Sequence, residues 1–415
     1  KNHSNIIRKL ECLKKVDNFY LDSNSIIYDC LRKEMNKYKG KDKTFETGLI
    51  KAIIVKLEEY INIIKPSNNI IIAFDGVAPV AKLEQQRTRR YKSYLMNKIT
   101  ASIESKEDQV WDKTAITPGT KFMENMGKKI KKYFTEKEKK YKLTGKIIVS
   151  LSSEPGEGEH KIFDFIRKNS NNHGDQTTLV YGLDADLIML CLNHLYISKS
   201  IYLYRETPEF IKSINSELIP NENYFLDISE LSEAIIEKMT GKNKITNYKI
   251  YLQDYIILCF LLGNDFLPHF PSVNIRTSGI HTLLATYSNI LGNKNKHMTD
   301  GKNLIWANIK LLIEQLAEME HNNFKIEHKK REKYSKKFYK TDTVEEKMHK
   351  LTNIPSIKRE KEIYIDPFNF YWEKRYYEKL FDLDINKAYK QTICINYLEG
   401  LEWVYKYYSA GCIDW

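Results

Sequence analysis

Seven acidic residues hold the chemistry that this chain can perform: Asp22, Asp75, Glu157, Glu159, Asp184, Asp186 and Asp265. Four of the five segments that carry them read alike, as an apolar, β-branched run, a carboxylate and then a helix-like stretch. Residues 18–21 precede Asp22, residues 70–74 precede Asp75, residues 146–149 come shortly before Glu157 and Glu159, and residues 179–182 precede Asp184 and Asp186. Open parallel sheets place ligands at the carboxyl ends of their strands, so acids far apart in sequence can meet there. Carboxylates gathered in one pocket repel each other strongly unless divalent cations neutralise them. An oxygen-only ligand set favours Mg²⁺ or Mn²⁺ over zinc. The chemistry that follows is metal-assisted work on phosphate, with two ions bridged by several carboxylates and the paired acids at i, i+2 presented to one cavity. Taken singly, each acid also has a plainer reading: Asp22, Asp75, Asp184 and Asp186 as helix caps or loop acids, Glu157 and Glu159 as partners of a helix dipole. Their joint placement is what favours the metal reading.

A second group follows Asp75. Pro79 suits the start of a helix, and Lys82, Gln86, Arg89 and Arg90 then fall at offsets 0, 4, 7 and 8, on one helical face. Ammonium, amide and two guanidiniums together make a phosphate clamp. The plainer alternative is a solvated charged helix.

The elements that must position these residues can be read from pattern. Alternating strand-like and helix-like segments over residues 1–290 imply an α/β fold, a mostly parallel sheet flanked by helices. Apolar spacing predicts a helix over residues 50–64, broken at residues 66–69 before the next strand. Residues 121–146 predict an exposed helix with one packed face, through Met123, Met126, Ile130, Tyr133 and Phe134. Residues 248–262 predict an apolar helix stopped by Gly263, and residues 305–324 an amphipathic one. The charged residues 328–350 read as an extended helix or a linker. From residue 364 onward the composition turns aromatic, as a smaller, mainly helical C-terminal region. The expected division is an α/β region 1–330, a charged linker 331–360 and a helical aromatic region 361–415.

The bulk numbers fit a globular protein of 415 residues, 42% hydrophobic, with no apolar run of the roughly 18–20 residues that a membrane span needs. The chain begins Lys1-Asn2-His3 without methionine, so targeting cannot be judged there. The net charge of +12 coexists with the acidic set, so basic residues must dominate other surfaces. A polyanionic partner such as nucleic acid is one reading, and a lysine-rich composition is the other. Six scattered cysteines form no CxxC pair. Cys191 and His194 make a lone CxxH without a second half. Most of the cysteines lie in apolar stretches and read as reduced core residues of an intracellular protein, most simply a cytoplasmic one, with a nuclear location as the alternative.

Residues 154–162 (EPGEGEHKI), 182–188 (GLDADLI) and 262–269 (LGNDFLPH), together with the run from Asp75 to Arg90, resemble the XRN 5′→3′ exoribonucleases. The motifs are long and in the family's order, and the resemblance extends over nearly the whole chain. It implies a flap-nuclease or PIN-like fold. It implies that the seven acids bind two Mg²⁺ or Mn²⁺ ions, and that Lys82, Gln86, Arg89 and Arg90 hold a 5′-monophosphate. The implied substrate is single-stranded RNA, degraded to nucleoside monophosphates. Tyr28 stands where the family has a base-stacking histidine, and Trp415 aligns with a family tryptophan that faces the active site. The family's opening helical segment is absent before Lys1, and the chain stops where the family continues, which together suggest a piece lacking both ends. Short linkers suit a minimal, virus-type member. The rival readings are a flap-type structure-specific DNA endonuclease and a catalytically inert RNA-binding scaffold.

Overall fold

The structure, a computed structural model, describes residues 6–104, 111–182, 184–206, 217–241, 247–382 and 386–415. They divide into two compact units, each assembled from separated stretches of chain: residues 1–83, 109–236 and 407–415 form the first, and residues 84–108 and 237–406 the second.

The first unit is built on a seven-stranded sheet. Its strands are β1 (Ile7–Lys9), β2 (Asn18–Asp22), β3 (Ile70–Ala73), β4 (Ile147–Ser150), β5 (Thr177–Tyr181), β6 (Ser200–Glu206) and β7 (Asn223–Asp227), in the order β1-β7-β6-β5-β2-β3-β4. The five strands from β6 to β4 pair in parallel. β7 and β1 extend the sheet antiparallel beyond β6. The sheet is therefore mostly parallel and flanked by helices, as the sequence pattern predicts. β2 is the middle strand of the parallel set, with Leu21 opposite Ile72 on one side and Tyr181 on the other.

Both faces of the parallel strands are covered, which is why those strands read as nearly unbroken apolar runs. On one face Phe19, Leu21, Ile70, Ile72, Leu179 and Tyr181 pack with Leu49, Ile53, Leu57 and Tyr60 of the helix Asp42–Ile64. Met123, Met126, Ile130 and Phe134 of the helix Lys121–Lys137 join the same cluster. Four of the five apolar positions expected to face inward on that second helix are buried, and Tyr133 is partly buried. The other face meets the helix Gly158–Lys168, where Tyr20 contacts Phe165 edge-on at 5.9 Å. Lys65 takes a left-handed conformation and ends the helix Asp42–Ile64 just before the expected break.

The second unit is mainly helical. The helices Tyr248–Phe260, Gly279–Ile290 and Trp306–Ser335 carry much of its buried apolar surface. The first of these ends where Gly263, at φ +90°, turns the chain. Asp254 is a polar hub inside this unit: it accepts from Tyr287 Oη (2.5 Å), His297 Nδ1 (2.9 Å) and the Met298 amide (2.8 Å). The charged stretch expected to be an extended helix or a linker is helical to Ser335 and again over Val344–Thr352. There Thr343 and Glu346 form a reciprocal capping box. The aromatic region is helical over Glu360–Ile365, Trp372–Phe381 and Lys387–Ala410. Of the six cysteines, Cys30 and Cys191 are buried and all six are free. Cys12 and Cys394 are exposed, and Cys259 and Cys412 are half-buried, so fewer of the cysteines are core residues than the sequence suggests. No described helix is long and apolar enough to cross a membrane.

Candidate metal centre and phosphate-binding helix

β5, β2, β3 and β4 are neighbours, and each delivers an acid at or just past its carboxyl end. Asp22 is the last residue of β2, Asp75 lies two residues beyond β3, Asp184 three beyond β5, and Glu157 opens the helix that follows β4. Glu159 lies in the first turn of that helix, and Asp186 starts the helix Asp186–His194. Six of the seven acids therefore converge in the first unit. Carboxylate oxygens of Asp22, Glu159 and Asp184 lie within 4.8 Å of one another. Asp265 belongs to the second unit, where its Oδ1 accepts from Gln85 Nε2 at 3.1 Å.

The chain is shaped to let the acids approach. A Cβ on Gly158 would sit 2.6 Å from Asp22 Oδ1, so only glycine allows this helix start beside the carboxylates. The Gly158 amide instead donates to Asp75 Oδ1 at 2.7 Å. Asn24 grips the same aspartate from both sides, donating its amide to Asp75 Oδ2 and accepting from the Asp75 main-chain N–H at 3.1 Å. Lys161, pushed down to about 8 by burial, donates to the Phe74 and Leu151 carbonyls at 2.8 Å each. It thereby ties together the segments leaving β3 and β4.

The electrostatics are those of a site with surplus negative charge. Burial raises the Asp22 pKa well above the usual carboxylate range, and Asp75, Asp184 and Glu157 push it in the same direction. Burial first, then Glu157 and Asp22, does the same to Glu159. Burial also raises Asp75, against the lowering effect of the Gly158 amide. Asp22 is 6% exposed, and its buried Oδ1 has no hydrogen-bond partner. An orphaned carboxylate oxygen beside two further carboxylates fits a hard divalent cation bound through oxygen.

Two features of this centre are not visible in sequence spacing. Lys82, read there as the first residue of a phosphate clamp, is buried, and its ammonium pairs with Glu157. Glu157 also accepts from Tyr407 Oη at 2.8 Å, and the Tyr407 ring stacks on His160 with centroids 3.8 Å apart. Burial, then Lys82 and Arg167, push His160 well below the ordinary histidine range. Its buried Nδ1 has no hydrogen-bond partner. His160 sits inside a motif the sequence singles out. Tyr407 had no signal beyond its place in an aromatic stretch.

The helix predicted to begin at Pro79 runs Val80–Glu104. Gln86 is half-buried on it, and Arg89 and Arg90 are exposed. In the first unit, Tyr28 is 43% exposed on the helix Asn24–Glu34. Trp415 is 51% exposed, and its ring would meet a Cβ placed on Gly156 at 3.8 Å. The Cys191–His194 pair is buried, and His194 is engaged by the Leu190 carbonyl at 2.7 Å and Arg167 at 3.0 Å.

Comparison with known proteins agrees with the motifs. Residues 1–207 match the family model described as the XRN 5′-3′ exonuclease N-terminus, and residues 246–366 and 367–415 match the Xrn1 helical domain. A 5′-3′ exoribonuclease 2 of Arabidopsis thaliana is 29% identical, over 78% of this chain and 36% of the relative. The Drosophila melanogaster homologue is 26% identical, over 96% and 54%. The Saccharomyces cerevisiae 5′-3′ exoribonuclease 2 is 30% identical, over 76% and 35%. The chain thus spans between about a third and just over half the length of these curated relatives. Among solved structures, the catalytic core of Rad2 in complex with DNA substrate aligns over 93% of this chain and 85% of its own, at 16% identity and a TM-score of 0.38.

Proposed function

The chain belongs to the XRN 5′–3′ exonuclease family, and from that premise we propose that it is a Mg²⁺- or Mn²⁺-dependent 5′→3′ exoribonuclease. Its substrate is single-stranded RNA with a 5′-monophosphate, and its products are nucleoside monophosphates. The observation that carries this reading is the convergence of six acids at the ends of four neighbouring parallel strands, around an unpartnered Asp22 oxygen. Asp22, Glu159 and Asp184 would hold one ion, with Asp75, Glu157 and Asp186 beside them; Asp265, in the second unit, is assigned as a ligand by the resemblance of its motif alone. When bound, divalent ions supply the positive charge that activates water and stabilises the leaving oxygen at the scissile phosphodiester.

The protein's own groups do the remaining work. Asn24 and the Gly158 amide fix Asp75, and Lys82 pairs with Glu157 from the helix that bears Gln86, Arg89 and Arg90. We assign these four to the 5′-phosphate, because guanidinium and ammonium donors make charge-assisted bonds to phosphate oxygens. A pocket that closes on a terminal phosphate accepts only a chain end, which gives polarity to the cleavage. The exposed rings of Tyr28 and Trp415 stack on terminal bases, a contact that tolerates any sequence. Free cysteines suit action inside the cell.

The test is purified protein with 5′-phosphorylated, 5′-hydroxylated and circular RNA, and the matching DNAs, with and without Mg²⁺. The expected result is metal-dependent release of monophosphates from 5′-phosphorylated RNA alone, lowered by orders of magnitude in Asp184→Ala. Cleavage of circular or branched DNA would instead establish the endonuclease reading. Binding without hydrolysis would establish an inert RNA-binding scaffold.

A further inference from the structure

The helix Lys387–Ala410 ends in the pair Tyr407 and Tyr408, which belongs to the sheet-bearing unit. Both side chains are buried, at 2% and 3% exposure. Adjacent helical positions are rotated by about 100°, so neighbouring side chains reach different targets. Here both targets are acids of the cluster. Tyr407 Oη donates to Glu157 Oε2 at 2.8 Å, while Glu157 Oε1 receives Lys82. Tyr408 Oη hydrogen-bonds Asp186, and the Tyr408 carbonyl accepts from Asn193 Nδ2 at 2.8 Å. The chain then turns at Gly411, φ +96°, and returns to bring Trp415 beside Gly156 of the same acidic motif.

We propose that Tyr407 and Tyr408 are positioning residues of the metal site, each fixing one carboxylate through a phenolic proton. This rests on the reading of the acids as metal ligands. Space-filling alone does not require hydroxyls here: phenylalanine would stack on His160 equally well. A buried phenol needs an acceptor, and both have taken a carboxylate of this one cluster. A carboxylate offers about four lone-pair positions. With Lys82 and Tyr407 occupying two on Glu157, its orientation is fixed and two remain for an ion. A neutral donor also withdraws charge from a crowded carboxylate without competing with the cation, as a further lysine would. Outer partners of this kind hold ligands in place, and their loss typically costs about 10- to 100-fold in metal affinity.

The experiment uses the whole chain with Tyr407→Phe, Tyr408→Phe and the double variant, each retaining its ring. Free Mn²⁺ is followed by electron paramagnetic resonance without RNA, with Asp184→Ala in parallel. Each single variant should bind Mn²⁺ about 10-fold more weakly and the double variant up to about 100-fold. The melting temperature in EDTA should stay within about 2 °C of the unmodified protein. Lost turnover on 5′-phosphorylated RNA should return as Mg²⁺ is raised. If Asp184→Ala weakens Mn²⁺ binding while the double variant binds within about twofold of the unmodified protein, this inference fails alone. If the double variant melts markedly lower in EDTA and extra Mg²⁺ restores nothing, the phenols serve packing and the inference also fails. If the unmodified protein binds no Mn²⁺, the metal reading falls and takes this one with it.

Discussion

Replacing Asp22 by asparagine should stabilise the metal-free protein, by an amount the structure bounds. Asp22 is 6% exposed and Glu159 7%, with carboxylate oxygens within 4.8 Å. At an effective dielectric of about 20, two unit charges at that distance repel by about 3.5 kcal/mol. The more exposed Asp184 adds less, because water screens it. An upper limit follows from protonation: an aspartate facing more than about 4 kcal/mol of repulsion at pH 7 takes up a proton instead. Asp22→Asn should therefore raise stability in EDTA by about 2–4 kcal/mol at neutral pH. The pH dependence has a definite sign. Burial and neighbouring acids raise the Asp22 pKa in the folded state, so the folded protein retains a proton that the unfolded chain releases. Stability of the unmodified protein is then fullest below the unfolded value of about 4, and falls as pH climbs through the raised folded value. Asparagine does not titrate, so the advantage of the variant grows from near zero at about pH 4 towards neutrality, and the slope that Glu159 and Asp75 contribute remains. Urea unfolding in EDTA at several pH values measures this. Saturating Mg²⁺ should reverse the order by stabilising the unmodified protein more. A variant no more stable than its parent at pH 7.5, with a parallel pH profile, would refute the argument that these carboxylates crowd one another.

Three further outcomes are expected. Arg90→Ala should shrink the preference for 5′-phosphate over 5′-hydroxyl RNA by about tenfold or more, from the loss of one charge-assisted contact; an unchanged ratio in competition assays would place the phosphate elsewhere. Tyr28→Ala should weaken RNA binding by roughly 1–3 kcal/mol for all four 5′ nucleotides, with Tyr28→Phe mild; equal damage from both substitutions would rule out stacking. In the helical unit, Asp254→Ala leaves the donors of Tyr287, His297 and Met298 without their acceptor. It should cost about 3 kcal/mol or more in denaturant unfolding, and a loss under about 1 kcal/mol would mean the hub is dispensable.

The strands and their acids were legible because burial on both sheet faces forces a continuous apolar run, and such a run followed by an acid is a local pattern. The packed faces of the helices Asp42–Ile64 and Lys121–Lys137 were legible for the same kind of reason, but their bounds were not: the first starts before residue 50 and the second ends well short of residue 146. The cap at Thr343 was also within reach, since threonine followed three residues later by glutamate is a local signature. Lys82 shows where pattern stops. Its helical offset aligned it with Gln86, Arg89 and Arg90, but nothing local says that its ammonium meets Glu157, which lies beyond another helix and strand. Asn24 gave no spacing signal either, because its role depends on two parallel strands lying side by side. The antiparallel addition of β7 and β1 was likewise hidden, since strand direction is fixed by pairing and not by composition.

The contact of Tyr407 with Glu157 has a consequence for synthesis. A ribosome releases the chain from its N-terminal side, so every acid from Asp22 to Asp186 emerges long before the phenols that meet two of them. A nascent chain can fold its strands yet still lack these partners of Glu157 and Asp186 until residues 407 and 408 leave the exit tunnel. For a protein that we propose degrades RNA, such an order would delay full assembly of the acidic centre until its own message had been read past that point.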